Sequence, residues 1–360
     1  MQEVIKKEKV NFDFIDSIRC IAMMGIVFEH STVLGVPKTS EFYLDMLHVS
    51  VMQFFKFATI VFFLIAGFLI NHKFTEYTPG QYLKNRFKST IKPWLFWLHI
   101  LLLCNIGSLL FRAFKFRESQ ILPDNFFRYL GEQYYHIIVS TSFWFILNFL
   151  ICISILLLFK RYIYKIWFGL ILCCVSLFYG FNLYHGWIIT NHTTALFGFV
   201  FYLWIGAYAN RYHEELFAFI NKVPMWWFIM ITTFFFVLAD LEALYLKSLA
   251  INDIYNTLRV SNILYSLSFF LILLKIGSIG FINKYFKPRS STFGIYLIHH
   301  IVILHIITEL FRPLKIDIDN LTLVQATGYT VLRFVITYSI TMLIVMLIRR
   351  TKLKWSIGAA

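Results

Sequence analysis

The sequence predicts an all-α fold, a polytopic membrane bundle of about ten transmembrane helices. Of its 360 residues, 59% are hydrophobic and only 14% are charged, and its mean hydropathy is +0.69. Apolar stretches of about 17 to 25 residues, each long enough to cross a hydrocarbon core of roughly 30 Å, recur along the chain. We therefore expect a single membrane domain over residues 1–360 and no soluble catalytic module.

Ten apolar stretches are predicted as spans. They cover residues 17–36, 50–70, 91–111, 142–159, 166–184, 194–210, 224–246, 257–277, 291–311 and 324–348. Short tails, residues 1–13 and 349–360, flank them. The lysines of the N-terminal tail superficially resemble the start of a signal peptide, but the first span contains Arg19, Glu29 and His30, and no small-residue cleavage site follows. We therefore expect this span to be retained.

The basic residues predict the orientation of the spans. The net charge is +14, and most Lys and Arg residues outside the spans lie in the tails and the even-numbered loops. Cytoplasmic loops carry such an excess, and an even span count puts both termini on one side. We therefore expect both termini in the cytoplasm, a location in the plasma (inner) membrane, and no nucleic-acid partner.

Cysteine and histidine patterns give no sign of a disulfide framework or of a metal site. The five cysteines, an odd number, all lie inside or at the edges of apolar stretches. The histidines His30, His299 and His305 lack a ligand spacing that commits to a metal. The longest predicted loop, residues 112–141, is interpreted either as an amphipathic interfacial segment or as a mobile connector.

Charged and titratable residues inside a span often mark function, and the first span contains the most informative ones. Arg19 and His30 are 11 residues apart, which places them within about 20° of the same helical face, with His30 about 16 Å deeper. Removal from water favours a neutral imidazole, which can accept a proton as a general base. The alternative is a histidine with a purely structural hydrogen bond. Glu29 points about 100° away from His30, towards another helix.

Three segments of the sequence resemble the acyltransferase-3 family of membrane O-acyltransferases. Residues 14–22, followed by Glu29-His30-Ser31, are similar to the first helix of that family, whose signature is Arg, ten residues, His. Residues 61–70 are similar to its second helix, with Ala66 where Ser is usual. Residues 293–299 resemble its Tyr-Leu-x-His motif, which lies towards the C-terminal end.

The resemblance implies transfer of an acetyl or succinyl group from acyl-CoA to a hydroxyl of a cell-envelope glycan or lipid-linked sugar. It implies catalytic roles for His30 and Arg19, to which we add the neighbouring Glu29, and substrate contacts for Tyr296 and His299. Acyl-CoA is then a co-substrate, and no metal is predicted. The partners implied are membrane lipid and the glycan. The alternative is an exporter of a polysaccharide or lipid-linked sugar.

The acyl donor is expected to bind near residues 84–88. The family has a cytoplasmic Arg-x-x-Arg before a helix-starting proline. Here Arg86 matches the first arginine, and Ser89 replaces the second. Lys84, Lys88 and Lys92 lie at a spacing that favours one helical face and would compensate in binding the phosphates of coenzyme A, although they equally suit positive-inside anchoring.

Overall fold

The computed structural model describes residues 12–38, 41–76, 78–116, 123–188, 191 and 193–358. Most of the predicted N-terminal tail, residues 1–11, lies outside this range. The described residues form helices and connecting turns without any strand, so the all-α prediction is confirmed for them.

The α-helices of the described residues are numbered in chain order. They are α1 (Asp13–Ser31), α2 (Phe42–Gln53), α3 (Ala58–Glu76), α4 (Pro79–Arg86), α5 (Lys92–Phe116), α6 (Phe126–Ser140), α7 (Trp144–Leu158), α8 (Ile166–His185), α9 (Val200–Arg211), α10 (His213–Lys222), α11 (Met225–Ser248), α12 (Val260–Ile276), α13 (Gly280–Tyr285), α14 (Pro288–Ile301), α15 (Thr308–Phe311) and α16 (Leu323–Arg349).

Six helical segments of the described residues are long and apolar enough to cross a membrane. They are Phe42–Asn71, Gly80–Lys115, Ile166–His185, Met225–Ser248, Pro288–Leu314 and Leu323–Arg349. A seventh is formed if α6 and α7, which meet at 67°, count as one broken span. Each of the ten predicted spans overlaps a helix, but α1 is rich in charge and α9 and α12 are short. The count of ten and the side of the termini therefore stay predictions.

Helix α1 lies inside the bundle, in contact with α3, α14 and α16. Its buried residues, among them Ile15, Ala22 and Val27, occur on several sides of the helix rather than on one stripe. A helix that is buried around much of its circumference holds its polar side chains inside the protein. Arg19 and His30 therefore project among other helices.

Two glycines bring α3 and α9 unusually close together. A Cβ atom added at Gly67 would lie 2.0 Å from the backbone oxygen of Leu203, and one added at Gly206 would lie 2.0 Å from that of Leu64. Small residues at such a crossing let two membrane helices pack backbone to backbone. This contact fixes α3, one face of which lines the cavity described below.

Two π-helical turns interrupt the helices, and the first of them borders that cavity. Residues Phe87–Ile91 join α4 to α5, and residues Val302–Ile307 continue α14. A π-turn places one extra residue in a helical turn and is frequent at functional sites. The first π-turn changes the helical phase between Lys84 and Lys92, so the single basic face expected from their spacing is interrupted.

Two segments that the sequence assigns to a loop and a tail are folded. Much of the predicted 112–141 loop is helical, because α5 extends to Phe116 and α6 begins at Phe126. At the other end, residues Lys352–Ile357 form a 3₁₀ helix that packs back on α5. There Trp97 Nε1 donates a hydrogen bond to the oxygen of Ser356 at 2.9 Å, and the side chain of Ile357 is buried.

Candidate active site

A cavity of about 300 Å³ contains three arginines, Arg19, Arg86 and Arg289, and is named here the arginine cavity. Tyr296 from α14 also lines it. The remaining wall is mainly apolar, with Met23, Ile26, Phe62, Ile65, Leu69, Phe145 and Phe149 among its residues. Guanidinium groups beside an apolar chamber suit a ligand with an anionic part and an apolar part.

Asp16 joins two of the three arginines. Arg19 Nη1 donates to Asp16 Oδ1 at 3.2 Å, and Arg289 Nη2 lies 3.0 Å from Asp16 Oδ2. The Arg19 side chain is 19% exposed, whereas that of Arg289 is 61% exposed. Arg19 therefore lies deeper in the protein, with Arg289 nearer the surface.

Arg86 is held at the cavity by its own helix. Its Nε donates a hydrogen bond to the hydroxyl of Tyr82 at 2.7 Å, one turn earlier, and its guanidinium stacks over the Tyr82 ring. Helix α4 begins with a capping box between Thr78 and Gln81, which fixes its first turn. Arg86 faces the cavity, as does Ser89, which stands at the position of the family's second arginine.

A second cavity of about 440 Å³ lies at the other end of α1 and is named here the histidine cavity. His30 and Trp144 line it, together with the α6–α7 break at Thr141. Its other lining residues are mostly polar and come from interhelical loops and the end of α6: Ser140, Asn191, Thr193, Asn252 and Asp253.

Two histidines of α14 approach His30 from within the bundle. The ring centroids of His30 and His299 are 5.3 Å apart, and those of His30 and His300 are 5.6 Å apart. His299 is fully buried, and its Nδ1 lies 3.0 Å from the oxygen of Ile295. A carbonyl only accepts, so Nδ1 carries a hydrogen, and in the neutral ring Nε2 then presents a lone pair. That Nε2 has no hydrogen-bond partner among the described residues.

Tyr296 connects the arginine cavity to the histidines. Its hydroxyl donates to the oxygen of Ser142 at the α6–α7 break, and its ring centroid is 6.2 Å from that of His299. The order from one cavity to the other is therefore Tyr296, His299 and His30. This arrangement brings the segment 293–299 into contact with the first-helix segment that contains His30.

The comparison with protein families identifies the family of this chain. The model of the acyltransferase-3 family, described as an acyltransferase domain, matches residues 12–345, nearly the whole chain. This protein belongs to the acyltransferase-3 family. Neither the search of curated proteins nor the search of solved structures gave a match. The family assignment makes the protein a membrane acyltransferase, and it favours the enzyme over the exporter.

Glu29 does not line either cavity of this acyltransferase. Its Oε2 accepts from Lys56 Nζ at 2.8 Å, and both side chains are largely buried. The 100° offset from His30 that the sequence predicts turns Glu29 towards the α2–α3 junction, where Lys56 lies. Its catalytic role stays a prediction without a contact to support it.

Lys84 and Lys88 are exposed and lie outside the lining of the arginine cavity. Two residues that the sequence analysis did not assign to the site, Arg289 and His300, lie in it or against it. A signal was present in both cases, since Arg289 begins the late helix and His300 follows His299 directly. Sequence alone did not show which helix they would meet.

The loop residues that line each cavity come from one predicted side of the membrane, the cytoplasmic side for the arginine cavity and the outer side for the histidine cavity. The arginine cavity gathers Arg19 of α1, Arg86, Ser89, Thr90, residues 288–289 and Gly358. The histidine cavity gathers residues 139–141, Asn191, Thr193 and residues 252–253 from odd-numbered loops. This grouping is what alternating spans require, although the absolute orientation stays a prediction.

Proposed function

We propose that this acyltransferase transfers an acetyl or succinyl group from acyl-CoA to a sugar hydroxyl of a cell-envelope glycan or lipid-linked sugar, in the plasma membrane. The observation that carries the proposal is the contact between His30 and His299, which lies between an arginine-containing cavity and a polar one. A donor and an acceptor that enter from opposite sides would meet at these rings.

The arginine cavity suits the donor. Guanidinium groups form strong, directional hydrogen bonds with phosphate, which supports binding of the coenzyme A phosphates by Arg86. The apolar wall suits the pantetheine arm and a short acyl group. Ile26, which lines this cavity, is one helical turn or about 6 Å before His30, so a thioester that passes Ile26 approaches the imidazole.

The histidine cavity suits a hydroxylated acceptor. Its side chains offer hydroxyl, amide and carboxylate groups beside the indole of Trp144, and its described lining contains neither Lys nor Arg. Neutral hydroxyl groups find both donors and acceptors on such a surface. A sugar hydroxyl at His30 would therefore be held by the loops on this side.

The chemistry has two balanced forms. In the first, His30 takes the proton of the acceptor hydroxyl, the oxygen attacks the thioester carbonyl, the C–S bond breaks, and the coenzyme A thiolate receives the proton. In the second, the imidazole nitrogen attacks the thioester carbonyl and the C–S bond breaks to release the thiolate; the acceptor oxygen then attacks the acyl-imidazole, the C–N bond breaks, and the hydroxyl proton passes to the thiolate. In both forms one C–O bond replaces one C–S bond, and the products are an ester and free thiol.

A purified-protein assay tests this proposal. The protein in detergent is mixed with acetyl-CoA or succinyl-CoA and a panel of glycan and lipid-linked sugar acceptors, and free thiol is measured. Thiol release that depends on an acceptor, with the acylated sugar found by mass spectrometry, is expected. If none of the acceptors raises thiol release above the acceptor-free rate with either donor, the proposed donor and acceptor classes are wrong.

A further inference from the structure

The loop of residues 249–259, which joins α11 to α12, brings two polar side chains to the histidine cavity. Asn252 and Asp253 line this cavity together with His30. Within residues 251–259, Asn252 is exposed, whereas its neighbours are buried or half-buried. An exposed carboxamide offers two N–H donors and an acceptor oxygen to a molecule in the cavity.

Arg259 fixes the C-terminal end of this loop. Its side chain is fully buried, and all three nitrogen positions of the guanidinium donate hydrogen bonds. Nη1 donates to the oxygen of Ala239 at 2.6 Å, Nη2 donates to Gln53 Oε1, and Nε donates to the oxygen of Asn256 at 3.2 Å. These bonds offset the cost of removing the cation from water, and they tie the loop to α11 and α2.

The N-terminal end of the loop is fixed as well. Ala250 has a φ of 55°, a left-handed conformation that is uncommon for a residue with a side chain and persists where surrounding contacts impose it. Its N–H donates to the oxygen of Lys247 at 3.0 Å, and that of Ile251 donates to the oxygen of Leu246 at 3.1 Å. Ile254, which is buried, packs in one apolar cluster with Leu246. Asn252 therefore lies between two anchored points.

Asn256 closes the turn that follows Asn252. Its Nδ2 donates to Asp253 Oδ2 at 2.9 Å, its backbone N–H donates to the oxygen of Asp253 at 3.1 Å, and its Oδ1 accepts from the N–H of Leu258 at 2.9 Å. A side chain on a backbone that is held in this way binds a ligand without the cost of ordering the loop. The loop thus presents the Asn252 carboxamide to the histidine cavity in a fixed position.

We propose that Asn252 is an acceptor-binding residue, whose carboxamide hydrogen-bonds one hydroxyl group of the acceptor sugar while a neighbouring hydroxyl group meets His30. This inference rests on the proposed function, because it takes a sugar as the acceptor. A carboxamide both donates and accepts, as a hydroxyl group does, and the cavity of about 440 Å³ has the size of a small-molecule site. With one hydroxyl group held by Asn252, the sugar presents another to the imidazole, so Asn252 determines which ring position is acylated.

A kinetic experiment separates this role from a purely structural one. Purified wild type, Asn252→Ala and Asn252→Leu are assayed with acetyl-CoA or succinyl-CoA and with the sugar panel, whose soluble members are the methyl glycosides of glucose, galactose and N-acetylglucosamine. Loss of one neutral hydrogen bond predicts a roughly 3- to 10-fold higher acceptor KM in both variants. The CoA affinity and the acceptor-free release of thiol should not change. Asn221→Ala is the matched control, since Asn221 is an exposed asparagine that lines neither cavity.

Product analysis and deoxy sugars provide two further arms. The wild type should acylate mainly one ring position, and both Asn252 variants should give a more even mixture of positions by NMR. Among monodeoxy derivatives of the methyl glycosides, the one that lacks the hydroxyl group held by Asn252 should have a raised KM with the wild type and little further loss with Asn252→Ala. If every deoxygenation changes KM by the same factor in both proteins, Asn252 holds no hydroxyl group and the inference is overturned.

The remaining outcomes are equally decisive. If the Asn252 variants elute as the wild type does and keep its acceptor KM and its product positions, or lose CoA affinity as much as acceptor affinity, Asn252 does not bind the acceptor, and the proposed function still stands. If the wild type itself acylates no sugar of the panel with either donor, the proposed function fails and this inference fails with it.

Discussion

The imidazole rings of His30 on α1 and His299 on α14 lie 5.3 Å apart although 269 positions separate them in the chain. His299 is buried, its Nδ1 hydrogen is directed at the oxygen of Ile295, and its Nε2 has no hydrogen-bond partner among the described residues. The pair thus joins two of the three segments that carry the family resemblance. This contact predicts that His299 orients His30 or exchanges a proton with it.

The prediction for His299 is a loss of turnover without a loss of donor binding. His299→Ala should reduce acyl transfer, because His30 loses a ring neighbour, while CoA affinity stays at the wild-type level because His299 does not line the arginine cavity. The reduction should be smaller than that in His30→Ala. Steady-state rates and CoA binding on the same preparation check it, and an unchanged rate in folded protein would limit His299 to packing.

The ion pair between Glu29 and Lys56 is predicted to stabilise the position of α1 against the α2–α3 junction. Removing one member of a buried pair leaves the other charge uncompensated and typically costs about 3 to 5 kcal/mol. Glu29→Gln and Lys56→Met should therefore each lower the thermal stability in detergent, and the double variant should recover part of the loss. Strictly additive losses would show that the pair is not coupled, and an activity loss at full stability would restore the catalytic interpretation of Glu29.

The close contact of α3 with α9 is predicted to tolerate no side chain at Gly67. A Cβ there meets the backbone of Leu203 rather than a movable side chain, so Gly67→Ala should cost at least the 1 to 3 kcal/mol that is typical of overpacking. Gly107→Ala in α5 is the control, since a Cβ there meets nothing within 4 Å. Thermal unfolding of both variants in the same detergent checks this, and equal midpoints would contradict the packing described.

Topology gives a prediction that is independent of the chemistry. Reporter fusions after residue 90 and after residue 360 should both report the cytoplasm, and a fusion within residues 185–193 should report the opposite side. The two cavities gather segments that require this alternation. Reports of opposite sides from residues 90 and 360 would mean that the number of spans between them is odd.

Sequence reasoning recovered the helical class and the family because both depend on local patterns. Hydropathy marked ten apolar stretches, each of which overlaps a helix, and the spacing of Arg19 and His30 located the first-helix segment. It missed Arg289 as a residue of the arginine cavity, because the ion pair with Asp16 joins residues 273 positions apart and leaves no local pattern. It also placed Lys84 and Lys88 at the donor site from a regular helical spacing that the π-turn at Phe87–Ile91 interrupts.

The helix boundaries were harder to predict for a related reason. Apolar residues continue through turns in a membrane protein, so hydropathy alone does not show that α2 ends at Gln53 and α3 begins at Ala58, both inside the predicted span 50–70. Hydropathy also does not show the 67° break between α6 and α7. At this break Thr141 lines the histidine cavity, and the oxygen of Ser142 accepts from Tyr296, which lines the arginine cavity. Tertiary contacts, such as the Tyr296 hydrogen bond to the oxygen of Ser142, define that break.

The most direct test of the account measures acyl transfer and CoA binding in purified His30→Ala, with His185→Ala as a control because His185 is exposed and lines neither cavity. A positioned general base typically contributes 10²- to 10⁴-fold, or roughly 3 to 5 kcal/mol of barrier. The account predicts that His30→Ala elutes as the wild type does, binds CoA with wild-type affinity and loses at least 100-fold in turnover, whereas His185→Ala retains full activity. A folded His30→Ala protein that binds CoA and transfers acyl groups near the wild-type rate would contradict the central claim.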